Sequence, residues 1–264
     1  MACTEITGMK SFISLLFSVL YGIYAFAADV PAEILIGRVD ERPPSYFQKN
    51  EEWFGSNIEA FQALSLESGI KIEYKVMSWS RAMHDMKDKH VIIAQLTPSK
   101  ERGEFMYFIG PHDREQMVLA VQKKDYNYRI KNLDDLAAFS RIKGKKIAYQ
   151  QGVIYSREFN DRIKTDEEFS KCFVKIVTYT TVLQMLEHGR IAGFLDVKSM
   201  VSYQLKHKYR NSGMVIHPFI ISNTDVYFGV SKTISDVTLK KLQTANKKLQ
   251  KNGTYQKITD KWSD

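Results

Sequence analysis

Thr97-Pro98-Ser99-Lys100-Glu101-Arg102-Gly103-Glu104-Phe105-Met106-Tyr107-Phe108-Ile109-Gly110-Pro111 is the stretch from which the fold of this chain is read. It follows a β-rich apolar run, Val91-Ile92-Ile93-Ala94. Ser99 stands three residues before Arg102, the spacing at which a serine hydroxyl accepts a backbone N–H and caps a short helix. Such a turn holds Arg102 at the mouth of a sheet, where open α/β sheets bind ligands. Its guanidinium offers a planar fork of donors that fits a carboxylate. Phe105, Tyr107, Phe108 and Ile109 then run into Gly110-Pro111, which reads as the end of the segment. The same spacing also fits a solvated arginine that merely follows a strand.

Ser-x-x-Arg, with its arginine eight residues before Gly-Pro and an aromatic run between, resembles the Thr-x-x-Arg signature of periplasmic solute-binding proteins. The branch is the one that serves ABC transporters of polar amino acids. The resemblance implies that Arg102 clamps the α-carboxylate of the ligand. Ser99 stands where threonine is usual and Lys100 where proline is usual. Thr97-Pro98, with two residues inserted, is the alternative match for that pair.

Outward from this stretch the elements alternate. Ile34 to Gly37 reads as a strand, and Arg38 to Asn50 as a loop carrying Pro43-Pro44, Tyr46 and Phe47. Ser56-Asn57-Ile58-Glu59 has the form of a capping box, and Ile58, Phe61 and Leu64 recur at helical spacing up to Gly69. Ile70, Ile72, Tyr74 and Val76 alternate as a strand. Ser80 to Lys87 reads as a helix and Val91 to Leu96 as a strand, so the order is β-α-β-α-β and the sheet is expected to be mostly parallel. Met117 to Val121 restarts the pattern. After it come a helix from Asn132 through Leu136, a strand Lys145 to Tyr149 and a helix Tyr155 to Ile163. Phe173 to Val177, Thr180 to Glu187 and Ile191 to Asp196 read as strand, helix and strand. A helix Ser199 to Leu205 and the strands Met214 to His217 and Val226 to Val230 come next. A helix Leu239 to Leu249 and a closing segment Tyr255 to Trp262 end the chain.

Two α/β units in series predict two lobes and a hinge, which the resemblance sharpens to two Rossmann-like lobes joined by two hinge strands. The resemblance makes this the type II periplasmic binding fold, with Met117 to Val121 and Val226 to Val230 as hinges. It places residues 29–120 and 226–264 in the first lobe and residues 121–225 in the second. Gly253-Thr254-Tyr255 and Lys261-Trp262 resemble the family's terminal Gly-Thr-Tyr and Lys-Trp.

The 264 residues carry a formal net charge of +8 with 44% hydrophobic residues, as expected for a globular protein with a basic surface. The lysines are scattered rather than striped with aromatics, which argues against nucleic acid. Phe12 to Phe26 is an uncharged apolar run that ends in Ala25-Phe26-Ala27, the pattern of a secretory signal peptide over residues 1–28. Met9-Lys10 then reads as the natural start, and a retained signal acting as membrane anchor is the alternative. Cys3 precedes the apolar run and so does not stand where a lipoprotein cysteine would. Cleavage leaves Cys172 alone, without a disulfide partner and expected to be a small buried thiol.

Asp196 ends a strand, where a carboxylate faces the ligand crevice; it also fits the N-cap of the next helix. The resemblance implies that Asp196 binds the ligand's α-ammonium. Gly189-Arg190-Ile191-Ala192-Gly193 lacks the aspartate usual just before it. Gln151-Gly152-Val153-Ile154 lies between a strand and a helix, and backbone amides at a helix start bind anions. It resembles the family's Gln-Gly-Thr loop, with Val153 in place of the hydroxyl. Tyr46, Trp53 and Trp79 are crevice-side aromatics or core packing. The resemblance favours Tyr46 as the ring over the ligand side chain.

There is no Gly-x-Ser-x-Gly elbow, no P-loop and no His-x-x-x-His spacing, so neither an enzyme nor a metal site is expected. The resemblance implies a monomeric periplasmic protein without cofactor. It would capture an amino acid or similar small zwitterion and deliver it to the permease of an ABC transporter. The expected contacts are Arg102, Asp196, Ser99, Tyr46, Gly152, Val153, Trp79 and Trp53. Two rivals use the same fold: a dehydratase of cyclic prephenate-like acids, needing an acid or base such as Glu41, Glu51 or His112, and a sensory ligand-binder for a membrane receptor.

Overall fold

The structure is a computed structural model that describes residues 33–176 and 181–263. Residues 1–28, read as a signal peptide, lie outside the described residues, as do Val177 and Thr180 at the ends of two expected elements. The first part runs β1 (Ile34–Val39), β2 (Phe47–Lys49), β3 (Glu52–Phe54), α1 (Ser56–Ser68), β4 (Lys71–Val76), α2 (Trp79–Asp85), β5 (Val91–Leu96), α3 (Lys100–Gly103) and β6 (Met106–Gln122). Then come α4 (Leu133–Lys143), β7 (Ile147–Gln150), α5 (Arg157–Thr165), α6 (Glu167–Ser170), β8 (Phe173–Ile176), α7 (Val182–Glu187), β9 (Gly193–Val197) and α8 (Lys198–His207). The chain closes with β10 (Met214–Ser231), α9 (Asp236–Lys251) and α10 (Thr254–Trp262).

Eight strands form one sheet in the order β4-β1-β5-β10-β6-β9-β7-β8. Its two ends are parallel, as the β-α-β alternation requires: β1 pairs β4 and β5, and β7 pairs β8 and β9. The centre is antiparallel, because β6 and β10 pair from Met106↔Ser231 to Gln122↔Met214. Gly110-Pro111 therefore does not end the segment, and Met117 to Val121 is only the last part of a 17-residue strand. Met214 to His217 and Val226 to Val230 likewise belong to one strand of 18 residues. The prolines are tolerated because each falls at an irregularity. Pro111 faces the register shift between Val226 and Phe228, and Pro218 lies inside the shift between Ile216 and Ile220. No ladder N–H is required at either place.

Separate cores cover the two ends. Leu35, Ile58, Phe61, Leu64, Ile92 and Phe228 pack with Leu242, Ala245 and Tyr255, so the last two helices complete the first core. Met77, Met86, Val91, Ile93, Leu96 and Met106 cover the opposite face. In β6 the odd residues Met117, Leu119 and Val121 enter one core of the second end, and Val118 and Ala120 enter the other. Cys172 is buried in the former, as expected. Among the described residues no helix is long and apolar enough to cross a membrane.

Helix ends show where local signals decide. Ser78, Ser99, Asn132, Ser156 and Ser235 each accept an amide with the side chain. Gly69 closes α1 in the left-handed region, as its position predicts. The capping box at Ser56 does not form: the N-cap is Gly55, and no side chain caps the helix. The backbone carbonyls of Pro44 and Ser45 already take the Ser56 and Asn57 amides at 3.0 and 3.2 Å. Glu59 instead holds Lys261 Nζ at 2.6 Å. α4 runs on past Leu136 to Lys143, because Leu136, Ala137, Phe139 and Ser140 continue a buried face.

Gly55 has φ 124° and ψ 171°, a region nearly exclusive to glycine, and an added Cβ would lie 2.4 Å from the Ser45 carbonyl oxygen. Gly55→Ala is expected to lower stability by about 2–3 kcal/mol in urea unfolding. Gly69→Ala, whose Cβ meets nothing within 4 Å, is expected to cost only about 1 kcal/mol.

Candidate functional site

The site grows from the C-terminal ends of β1, β5, β7 and β9 and from the long strand β6. Ser99 accepts the Arg102 amide at 3.2 Å and starts α3, the cap its spacing predicts. That turn directs the half-buried Arg102 guanidinium into a cleft. Nη1 donates to the Thr97 carbonyl at 2.7 Å and Nη2 to the Gly152 carbonyl at 2.9 Å. Burial pulls Arg102 down to about 10, which leaves it charged at neutral pH. Thr97 lines the cleft, whereas Ser99 serves as the cap behind it.

Trp79, the first residue of α2, lies between two arginines, with Arg102 Cζ 5.4 Å and Arg38 Cζ 5.7 Å from its ring centroid. Gly152 makes this approach possible. It has φ 82°, and a Cβ there would sit 2.6 Å from Trp79 Nε1. Gln150 to Ile154 line the cleft opposite Trp79, with Val153 as an apolar wall. These residues precede the helix rather than start it, because α5 begins at Arg157 with Ser156 as its cap. The anion-binding helix start expected at Gln151 is therefore absent from this loop. Tyr155 anchors it instead: its hydroxyl accepts from the Gln150 amide at 2.8 Å and donates to the Leu195 carbonyl at 3.1 Å.

Asp196 lies in β9, fully buried, and lines the cleft. It is not a helix cap, since Val197 precedes α8 without any side-chain bond. Arg42 Nη2 approaches Asp196 Oδ1 at 3.4 Å and also contacts Met200 Sδ. Arg42 comes from the loop after β1, where Tyr46 was expected to face the ligand. A tight turn closes between them, with the Arg42 amide donating to the Tyr46 carbonyl at 2.8 Å. It sends Tyr46 inward, where it is 2% exposed beside Phe61. Trp53, in β3, packs against that same core and does not line the cleft. Both aromatics take the core-packing place that the sequence reading left open and not the crevice, where their rings would bury less apolar area.

Among the cleft residues that escaped the sequence reading are Arg38, Arg42, Gln95 and Glu115. Arg38 is buried, bonded to Asp40 at 2.5 Å and to the Met77 carbonyl at 3.3 Å. Gln95 has φ 59°, which breaks the alternation of β5 and turns Leu96 to the face already held by Val91 and Ile93. Its amide donates to His112 Nε2 at 3.2 Å and its side chain to the Glu115 carboxyl. Burial and the neighbouring Asp113 and Asp196 carboxylates push Glu115 up to about 8, against the pull of Arg42. Burial pushes His112 down to about 3, so it is neutral and accepts the Gln95 amide. A glutamate amid the apolar alternation that follows it was the available signal for Glu115. The cleft holds about 60 Å³, and Gln95 and Glu115 separate it from a polar cavity of about 350 Å³ bounded by Asp113, Ser199 and Trp262.

An α/β sheet that binds at strand ends, with central antiparallel strands carrying both halves and an arginine aimed into the cleft, defines a solute-binding protein. The chain belongs to the bacterial extracellular solute-binding proteins, family 3, whose model matches residues 34–264. It is 27% identical over 235 residues to the L-cystine-binding protein TcyJ of Escherichia coli (strain K12), covering 87% of this chain and 82% of that one. An ancestral arginine-binding protein bound to arginine superimposes with a TM-score of 0.70 at 25% identity, over 87% of this chain and 97% of that one. A histidine kinase sensor domain with similarity to periplasmic binding proteins does so at 0.71 and 20% identity, over 87% and 95%. The fold is thus the type II periplasmic binding fold.

The buried acid and base predict opposite pH limbs. Glu115 holds its proton more tightly folded than unfolded, so its contribution is full below about 4.5 and is lost as pH rises through about 8. His112 is depressed, so its contribution is present above about 6.5 and lost as pH falls toward 3. Glu115→Gln is expected to flatten the decline of melting temperature between pH 5 and 8 by at least about 1 kcal/mol, roughly 2–4 °C. The acid limb should remain. Melting curves of both proteins across pH 4–9 check this.

Proposed function

We propose that this protein captures a small polar carboxylate, an amino acid or a close relative of one, between the two halves of the sheet, and delivers it to the permease of an ABC transporter. The single observation behind this is Arg102, a charged guanidinium held at the cleft by α3, beside Trp79 and the Gly152 loop. A ligand carboxylate replaces the carbonyl at the guanidinium fork with a charge-assisted pair, which is stronger. In this reading residues 29–120 and 226–264 form one lobe and residues 121–225 the other. The long strands act as hinges, and contacts from both lobes favour closure. The family and the sequence of residues 1–28 support export to the periplasm, where the protein would act as a monomer.

The enzyme reading gains no support from the residues named for it. Glu41 accepts the Gln48 amide at an exposed position, Glu51 is exposed, and His112 stacks on Phe228 in the first core. Sensing and transport share this capture step and differ in the membrane partner.

Arg102→Ala is expected to weaken carboxylate binding about 100-fold or more while the melting temperature changes little, because a desolvated charge pair is broken. Arg102→Lys should recover only a small part, since an ammonium cannot form the two-bond fork. Titration of the three proteins with amino acids and related carboxylic acids measures this. Binding within threefold of wild type in Arg102→Ala would remove Arg102 from the site.

A further inference from the structure

The carboxylate expected to read the ligand's ammonium already faces a cation of the chain itself. Arg42 Nη2 lies 3.4 Å from Asp196 Oδ1, although 154 residues separate the two. Asp196 is fully buried and the Arg42 side chain 14% exposed, so little water screens the pair. An α-ammonium seated at Asp196 would stand beside the Arg42 guanidinium, two cations sharing one carboxylate. A neutral oxygen at the same place would meet a donor instead, since a guanidinium only donates hydrogen bonds.

The remaining cleft charges point the same way. Arg38 is neutralised by Asp40 at 2.5 Å. Glu115 is buried and bonded to Gln95, and its neighbours hold it toward the neutral acid. Arg102 gives its hydrogen bonds to two backbone carbonyls, and among the described residues no carboxylate forms an ion pair with it. Of these groups Arg102 is the one that meets no carboxylate within ion-pair distance, so a ligand carboxylate balances it, whereas an α-ammonium would bring a second cation beside Arg42.

We propose that the cleft selects small carboxylic acids that lack an α-ammonium, with a hydroxyl or keto oxygen at the α-position accepting from Arg42 while Arg102 takes the carboxylate. This rests on the carboxylate-capture reading above and narrows it to a chemical class.

The experiment titrates the full mature protein with matched pairs, each an α-amino acid and its 2-hydroxy counterpart. Pairs with small, aliphatic, aromatic and polar side chains are all included. Wild type is expected to bind the hydroxy acid of at least one pair about tenfold or more tighter than its amino acid. Arg42→Gln, which keeps hydrogen-bonding capacity but removes the charge, should cut that preference at least tenfold, because the cation that competes with the ammonium is then gone. Arg42→Lys, which keeps the charge, should retain a preference for the hydroxy acid. Amino acids that bind wild type as tightly as their counterparts, or tighter, would overturn the class while leaving carboxylate capture intact. An unchanged preference in Arg42→Gln would overturn the role of Arg42. If Arg42→Gln does not fold, the wild-type ratio alone decides. No binding by any acid to wild type would overturn both this proposal and the capture reading.

Discussion

The pairing of β6 with β10 is the constraint on which the rest of the structure depends. Each strand runs through both ends of the sheet, so each end is built on the same two backbones. The register shifts between Ile216 and Ile220 and between Val226 and Phe228 absorb two prolines, which lets long strands form from sequence that locally signals a stop. β5 joins one side and β9 the other, both antiparallel, and the parallel units extend outward from them. The cleft-lining groups Glu115 and Met117 stand on β6 itself. A change in this pairing would move the cores and the cleft together.

The cleft tolerates buried ionisable groups because each has a polar partner. Arg38 meets Asp40, Arg42 meets Asp196, and Glu115 meets Gln95. Trp79 supplies an aromatic face to Arg38 and Arg102. Isolated ions at such burial would cost several kcal/mol each. Backbone conformations that most residues avoid cluster here as well: Gln95 and Gly152 both have positive φ, at 59° and 82°. Such conformations persist where the surroundings dictate them, and here they aim one side chain at Glu115 and let one loop reach Trp79.

Much of the architecture was legible because it is local. Strand and helix alternation gave the parallel ends, and Ser99 and Asn132, each three residues before the amide it accepts, marked two helix starts that form as read. The capping box at Ser56 failed in part for a non-local reason: the Pro44 carbonyl of the preceding loop takes the Ser56 amide, and the Gly55 carbonyl takes the Glu59 amide. Gly110-Pro111 misled in the same way, because its partner irregularity lies more than a hundred residues on.

The site divides along this line. The Ser99 cap on the turn that carries Arg102 was legible in the sequence alone, since that bond spans three residues, whereas the Gly152 carbonyl and the Trp79 ring that seat its guanidinium come from distant parts of the chain. The tertiary structure alone decided that Arg42 rather than Tyr46 faces the cleft, because a tight turn and the pull of the Phe61 core settle which of the two points inward. It alone brought Arg42 to Asp196 and Gln95 to Glu115. The members of these pairs stand 154 and 20 residues apart along the chain, and Coulomb attraction acts on distance in space, not along the chain.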